Sequence, residues 1–238
     1  MIYVASYAGE GKNISEDSVI VGSDIVTNAY QEFPMLQKGF VCVADGVGGN
    51  KAGEIASSFV LQSLISYNGT DDLKAFIQSV NQNLIQKSME STEYEKMATT
   101  LSGVYLNEEI AFLIHVGNTR VYLGQGQYLK QLTDDHTVYR LLHASGKTEE
   151  AERCNQSAIT NCLGGGDVKY ADRLSISPLP AFNRLLLTSD GIHEYISIDD
   201  METILNDSTP EGDKCKRIVQ YARRNGSKDD MTVVIIVK

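Results

Sequence analysis

The sequence predicts an α+β fold: a four-layer α-β-β-α sandwich, with two central, mainly antiparallel sheets flanked by helix pairs. Three observations carry this prediction: two helix patterns with one apolar face each, a series of short strand patterns joined by tight links, and an unbroken apolar strand pattern at residues 231–237. A helix with one apolar face needs a sheet to cover, and strands grouped between helix pairs fit such layers. No Pro/Ser-rich break interrupts the 238 residues, so we expect one domain over residues 1–238.

The first well-marked elements are a buried strand and two helices. The apolar pattern of residues 39–44 predicts the strand, which should end at Asp45-Gly46. Apolar residues then recur at the i, i+3, i+4, i+7 spacing of a helix over residues 52–64 and again over residues 73–84. Each helix should therefore pack one face on a sheet.

Short strand patterns fill the middle of the chain: residues 99–106, 110–116, 120–123 and 128–132. The links between them are too short for crossover helices and permit hairpins, which predicts antiparallel pairing. From residue 135 to about residue 166 the chain is polar and Gly-rich, with one helical pattern near residues 138–144. We expect this segment to be a surface excursion that acts as a flap over the site.

The last third of the chain contains further strands and a final helix. Strand patterns occur at residues 174–176 and 184–187, and the helix is predicted to begin with Thr209 as N-cap and Pro210 at the first helical position. The unbroken apolar pattern of residues 231–237 is typical of a strand in the centre of a sheet.

Composition argues against several classes of protein. The chain has 21 basic and 31 acidic side chains, a net charge of −10, which disfavours nucleic acid and anionic membranes as partners. No apolar run approaches the roughly 20 residues that span a bilayer, and the first residues lack the basic segment of a secretion signal. The four cysteines are widely spaced, which predicts neither a zinc knuckle nor a disulfide framework. We expect a soluble, cytoplasmic monomer.

Four acidic clusters lie near the ends of predicted strands: Ser15-Glu16-Asp17, Ala44-Asp45-Gly46, Ser189-Asp190-Gly191 and Lys228-Asp229-Asp230. Carboxylates are poor strand formers and are rarely buried without a partner, so several of them in one place require cations between them. Oxygen ligands without a well-placed His or Cys favour Mg²⁺ or Mn²⁺. Two such ions about 3.5–4 Å apart would hold a shared hydroxide and neutralise a phosphoryl group, which predicts phosphate-ester hydrolysis.

Further motifs accompany these clusters in a definite order: Gly9-Glu10-Gly11-Lys12-Asn13-Ile14-Ser15-Glu16-Asp17, Val43-Ala44-Asp45-Gly46-Val47-Gly48-Gly49, Met97-Ala98-Thr99-Thr100, His115-Val116-Gly117-Asn118-Thr119-Arg120, Leu132-Thr133-Asp134-Asp135-His136-Thr137, Ser189-Asp190-Gly191 and Asp229-Asp230-Met231-Thr232. Over almost the whole chain, this series resembles the metal-dependent protein serine/threonine phosphatases of type 2C, particularly their compact single-domain bacterial members. The resemblance implies hydrolysis of phosphoserine and phosphothreonine in proteins that a cognate Ser/Thr kinase has phosphorylated.

The resemblance also implies a site for two Mn²⁺ or Mg²⁺ ions. Asp45 would bridge both ions, Asp190 and Asp229 would complete the first, and Glu16 with the backbone carbonyl of Gly46 would serve the second. Because Gly46 has no Cβ, its carbonyl could turn onto the ion.

Two further residues have roles by the same resemblance. Asp17 would orient metal-bound water, and Lys12 would contact the substrate phosphate. A water that bridges the ions would attack the phosphorus in line, without a phosphoenzyme.

Several positions depart from the family pattern. Lys12 stands where Arg is usual, Ser15 where Asn is usual, and Asn118 where an Asp helps to hold a third, weaker ion in bacterial relatives. A neutral amide oxygen is a poorer ligand, so we expect this third site to be weak or absent. Asp230 replaces the commoner Asn, and we interpret it as a strand-start residue paired with solvent or with Lys228.

The histidines have ordinary interpretations. His193 is expected to be a partly exposed residue at a helix start and not a proton donor, and His115 a core residue of a strand.

Two other functions stay open at this point. One is a catalytically weakened module that keeps the fold and binds a phosphorylated partner, which the changes at Lys12, Ser15 and Asn118 suggest. The other is an enzyme for small phosphorylated metabolites, which the expected flap and shallow site disfavour.

Overall fold

The computed structural model describes residues 1–47, 51–108 and 110–238. The Gly48-Gly49 end of one motif and Glu109 in one predicted link lie outside the described residues. The strands are β1 (Ile2–Tyr7), β2 (Asp17–Val21), β3 (Asp24–Val26), β4 (Tyr30–Phe33), β5 (Gly39–Val47), β6 (Ala98–Thr99), β7 (Leu101–Leu106), β8 (Ala111–Val116), β9 (Arg120–Gln125), β10 (Tyr128–Gln131), β11 (Leu163–Gly164), β12 (Ser175–Pro178), β13 (Arg184–Thr188) and β14 (Met231–Val237). The helices are α1 (Lys51–Leu64), α2 (Leu73–Ser88), α3 (Val138–Ala144), α4 (Thr148–Ala151), α5 (Asp190–His193), α6 (Ile198–Asn206) and α7 (Glu211–Arg224).

The strands form two sheets. The first has the order β10-β9-β13-β14-β1-β4, and the second has the order β11-β6-β5-β7-β8-β12, with β2 bonded to both β5 and β3. Each pairing between these strands in the described residues is antiparallel. The predicted fold class and the antiparallel pairing are confirmed, and β14 occupies the central position expected of it.

Alternating side chains of the central strands belong to different layers. Val43 and Val234 lie in the core between the two sheets. Their neighbours point outwards: Cys42 packs in the cluster that includes α1 and α2, and Val233 packs in the cluster that includes α6 and α7. Because both faces of these strands are covered, residues 40–44 of β5 and 233–237 of β14 are apolar without alternation.

Strand β5 is longer than predicted, and this difference places two site residues. It continues to Val47, so Asp45 and Gly46 lie inside the strand and not beyond its end. The extension forms because Gly46 pairs with Thr99 of β6 while Asp45 pairs with Asp17 of β2. Partners so distant in the chain give no local sequence signal.

The C-terminal helices differ from prediction in two respects. Helix α7 begins at Glu211 with Pro210 as N-cap, so the predicted N-cap Thr209 is wrong by one position; its backbone N–H donates to Asp207 instead. Helix α6, which begins after the N-cap Ser197, was not predicted because its nine residues include three acidic side chains and give only a narrow apolar face.

The segment from 135 to 166 contains α3, α4 and β11. Two backbone hydrogen bonds join its two ends, Val138 to Ala158 at 2.8 Å and Thr160 to His136 at 2.7 Å. A third, from His136 to Gly117 at 2.8 Å, joins the segment to the residues that follow β8. The helix predicted near residues 138–144 is confirmed, while the role of the segment as a flap stays a prediction. None of the helices in the described ranges has the length and apolarity needed to cross a membrane.

Candidate metal centre

The acidic clusters that are far apart in the sequence meet around one cavity of 370 Å³ at the edge of both sheets. Six of the predicted site residues line it: Lys12, Glu16, Asp45, Gly46, Asp190 and Asp229. The seventh, Asp17, is buried behind it and faces Asp45 directly across the β2–β5 pair. Two like charges opposite each other on neighbouring strands repel, so this pairing needs a compensating cation.

Burial and mutual repulsion affect three of these carboxyl groups. Loss of hydration raises the pKa of Asp45 well above its ordinary value, and repulsion from Asp190 and Asp17 adds to the shift. Burial likewise raises the pKa of Asp17 and of Asp190, with further repulsion from neighbouring carboxylates. A site that resists the ionisation of its own carboxylates would be stabilised by positive charge placed among them.

Two glycines allow helix α1 to approach the site closely. A Cβ on Gly46 would lie 2.1 Å from the carbonyl oxygen of Gly53, and a Cβ on Gly53 would lie 2.3 Å from Oε1 of Glu16. Glycine is therefore needed at position 46 for backbone packing, whereas the turn of its carbonyl onto an ion stays a prediction. The two glycines let Glu16 Oε1 lie close to the Gly46 carbonyl. Two ligands of one ion would have to lie close together in this way.

Gly46→Ala should destabilise the protein by about 1–3 kcal/mol and weaken Mn²⁺ binding, because the first turn of α1 must move away from β5. Chemical denaturation and calorimetry with Mn²⁺ measure the two effects. Val47→Ala is the control for stability, since Val47 is the next residue of the same strand and is exposed. Equal stability of Gly46→Ala and the native protein would contradict the close packing.

The ammonium group of Lys12 lies among carboxylates. Its Nζ atom is 3.0 Å from Glu16 Oε2, 3.2 Å from Asp229 Oδ1 and 3.0 Å from Asp230 Oδ2. Burial lowers the pKa of Lys12, but the hydrogen bonds to Glu16 and Asp230 raise it by more, so the group keeps its charge. Its predicted contact with phosphate stays a prediction.

Asp230 is a site residue that the sequence interpretation missed. Its side chain is 4% exposed and accepts hydrogen bonds from the backbone N–H of Gly9 at 2.8 Å and of Glu16 at 2.7 Å, besides the contact with Lys12. The predicted pairing with solvent or Lys228 is wrong, because Lys228 pairs with Glu10. Asp230 therefore ties the loop that carries Lys12 and Glu16 to the start of β14.

Asn118 holds one of the candidate ligands by a hydrogen bond. Its Nδ2 donates to Oδ2 of Asp190 at 2.9 Å. An amide that donates to this oxygen neutralises no charge, unlike a cation at the same place. The expectation of a weak or absent third ion stays a prediction.

The donor set fits a hard divalent cation. Its candidate ligands are carboxylate and carbonyl oxygens, and three buried oxygens have no hydrogen-bond partner in the structure: Oε1 of Glu16 and both Oδ atoms of Asp17. Within the described ranges, no three His, Cys, Asp or Glu side chains form a ready group for one ion. Lys12 lies between three of the carboxylates, so metal binding would require its side chain to move.

One histidine, His193, is buried more deeply than the sequence predicted. His193 is 9% exposed and shares a hydrogen bond between Nδ1 and the Thr188 hydroxyl at 2.9 Å, so its predicted partial exposure is wrong. Burial lowers the pKa of His193 well below its ordinary value, which leaves the ring neutral and unsuited to donate a proton as imidazolium. His115 is buried in β8, as predicted.

Carboxylates gathered at one edge of both sheets of this sandwich define a candidate site for divalent metal ions. The family model described as protein phosphatase 2C matches residues 29–232. The chain therefore belongs to the protein phosphatase 2C family, as the resemblance of its motifs indicated.

Individual relatives agree with this assignment. Protein phosphatase PhpP of Streptococcus pneumoniae is 29% identical over 208 residues, which cover 82% of this chain and 84% of that protein. The crystal structure of the serine/threonine phosphatase Stp1 from Staphylococcus aureus is similar with a TM-score of 0.82, at 26% identity and coverage of 100% and 94%. The catalytic domain of the phosphatase PstP, in complex with two manganese ions, has a TM-score of 0.76 at 27% identity, with coverage of 99% and 98%.

Proposed function

We propose that this protein hydrolyses phosphoserine and phosphothreonine in proteins and depends on two Mn²⁺ or Mg²⁺ ions. The observation that carries the proposal is the meeting of Glu16, Asp45, Asp190 and Asp229 around one cavity in a chain of the protein phosphatase 2C family. The manganese in the PstP structure supports the choice of metal.

The candidate ligands divide between the two ions as the motifs imply. Asp45 would contact both ions, Asp190 and Asp229 the first, and Glu16 with the Gly46 carbonyl the second. When bound, the ions supply positive charge for the phosphoryl oxygens and make a water molecule acidic enough to attack at neutral pH.

The chain's own residues would prepare the reaction. The two unpartnered Oδ atoms of Asp17 would accept hydrogen bonds from water beside Asp45 and so orient it. Asn118 would keep Asp190 in one orientation through the 2.9 Å bond to its Oδ2. The Lys12 ammonium, if it leaves Glu16 and Asp229, would be available to a phosphate oxygen as a single point charge in place of the usual Arg fork.

A metal-dependence assay tests the proposal. The purified protein should hydrolyse an aryl phosphate and a phosphothreonine peptide with Mn²⁺ or Mg²⁺, and both activities should disappear after chelation and return with added metal. Tight Mn²⁺ binding in calorimetry without turnover of either substrate would refute the proposal and favour a module that binds phosphorylated partners. A clear preference for small phosphorylated metabolites over the peptide would favour the metabolite enzyme.

The structure and the relatives support neither rival function. The cytoplasmic location, the cognate kinase, the monomeric state and the choice between Mn²⁺ and Mg²⁺ stay predictions.

A further inference from the structure

A second cavity of 410 Å³ adjoins the candidate metal centre. Asn118 lines both cavities, so the two are neighbours, and a molecule bound with its phosphate in the first has the second beside it. The walls of the second cavity come from the segment 135–166 and from α5 and the residues that follow it. It is therefore placed to receive a residue of the substrate beside the phosphorylated one.

The second cavity carries one carboxylate without a cationic partner. Arg120 and Asp135 neutralise each other, with Nε of Arg120 3.0 Å from both Oδ atoms of Asp135. His193 is neutral, because burial lowers its pKa. The Glu194 carboxylate is exposed, and none of the Lys and Arg side chains that the structure describes has a nitrogen within 4.0 Å of it.

Glu194 is held in place by the wall between the cavities. Its two Oε atoms share the single hydrogen of the Ser157 hydroxyl, at 2.8 and 3.0 Å from its oxygen, and Ser157 itself lines the first cavity. This contact fixes the negative charge next to the path from one cavity to the other.

Two aromatic rings also line the second cavity. Tyr139 and Tyr195 line it and are half-buried. Aromatic rings beside a carboxylate suit a long cationic side chain, whose stem packs on the rings while its charged end meets the carboxylate.

We propose that this cavity binds the side chain of an arginine or lysine that flanks the phosphoserine or phosphothreonine of the substrate, with Glu194 as the residue that selects it. The inference rests on the proposed function, because it assumes a phosphoprotein in the first cavity. It adds a sequence preference that the metal centre alone does not impart.

Matched peptides test the preference. A phosphothreonine peptide with arginine on both sides is compared with the same peptide carrying citrulline, which keeps the shape and removes the charge. We expect kcat/KM to be roughly 3- to 10-fold higher for the arginine peptide at low salt, as for one exposed ion pair with an aromatic contact. Binding of fluorescent versions of both peptides, measured by polarisation, gives the same ratio independently of turnover.

Variants connect the preference to one residue. Glu194→Gln keeps the acceptor for Ser157 and should bring the ratio of kcat/KM for the arginine and citrulline peptides close to 1. Glu194→Lys should favour a peptide with glutamate at the flanking positions. Glu149→Gln, an equal change of charge at an exposed site on α4, should leave the ratio unchanged.

Several results would overturn the subsite: equal kcat/KM and equal binding for the two peptides, a preference that persists in Glu194→Gln, or an equal loss of preference in Glu149→Gln. Hydrolysis of an aryl phosphate by the native protein is measured in parallel. Aryl phosphate turnover without a peptide preference rejects the subsite alone, whereas absence of all turnover rejects the proposed function, and the binding ratio still decides the subsite.

Discussion

Asp45→Asn is expected to lower Mn²⁺-dependent hydrolysis of an aryl phosphate by at least about 100-fold, since even residues behind the ligands cost 10–100-fold when changed. Asp45 lies opposite Asp17 on β2 and lines the same cavity as Asp190 and Asp229. An amide keeps the shape of the side chain but removes the charge that two ions would share.

The same variant separates metal binding from folding. Without metal, Asp45→Asn should be at least as stable as the native protein, because Asn lacks the buried charge that neighbouring carboxylates repel. With Mn²⁺, the native protein should gain thermal stability and the variant should gain much less, since only binding to the folded state shifts the transition.

Asp24→Asn serves as the control, because Asp24 is exposed in β3 and lines neither the metal centre nor the adjoining cavity. It should keep both the activity and the stabilisation by Mn²⁺. Full activity of Asp45→Asn at low metal concentration would falsify the assignment of Asp45 as a shared ligand.

The second large effect is expected for Asp230→Ala, which should reduce the free energy of unfolding by about 3 kcal/mol. The variant leaves the N–H groups of Gly9 and Glu16 without their acceptor and removes the most buried of the carboxylates that Lys12 contacts. Chemical denaturation of the metal-free protein measures the loss.

Asp229→Ala is the matched comparison for Asp230→Ala. Asp229 is the preceding residue, but its side chain is 56% exposed, against 4% for Asp230. Asp229→Ala should therefore change the stability of the metal-free protein little and weaken Mn²⁺ binding strongly. If both variants unfold at the same denaturant concentration as the native protein, Asp230 does not tie the loop to β14.

Local patterns were sufficient for most of the fold. The apolar run of β14 and the helical spacing of α1 and α2 reflect the surface that each segment buries. That surface can be recognised from the segment's own residues. Where an element depends on a distant partner the sequence was less informative. The last three residues of β5 are strand because β2 and β6 pair with them, and α6 has too few apolar residues to stand out.

In the candidate site, too, the sequence predicted some residues, while others depend on contacts with distant parts of the chain. Motif order singled out Glu16, Asp45, Asp190 and Asp229, which the fold brings to one cavity. The sequence contained no sign that Asp230 accepts two backbone N–H groups, because these belong to a loop more than 200 residues away.

The sequence by itself determined the layered architecture and the acidic residues suited to divalent metal, since periodicity and residue chemistry are local properties. Its ordered motifs indicated the class of protein through their resemblance to a known family. Only the tertiary structure decided that Lys12 contacts three carboxylates, that Gly46 must accommodate the backbone of Gly53, and that Glu194 faces a cavity beside the metal centre. Those contacts depend on distances between segments that meet when the two sheets pack, and spacing along a chain does not encode such distances.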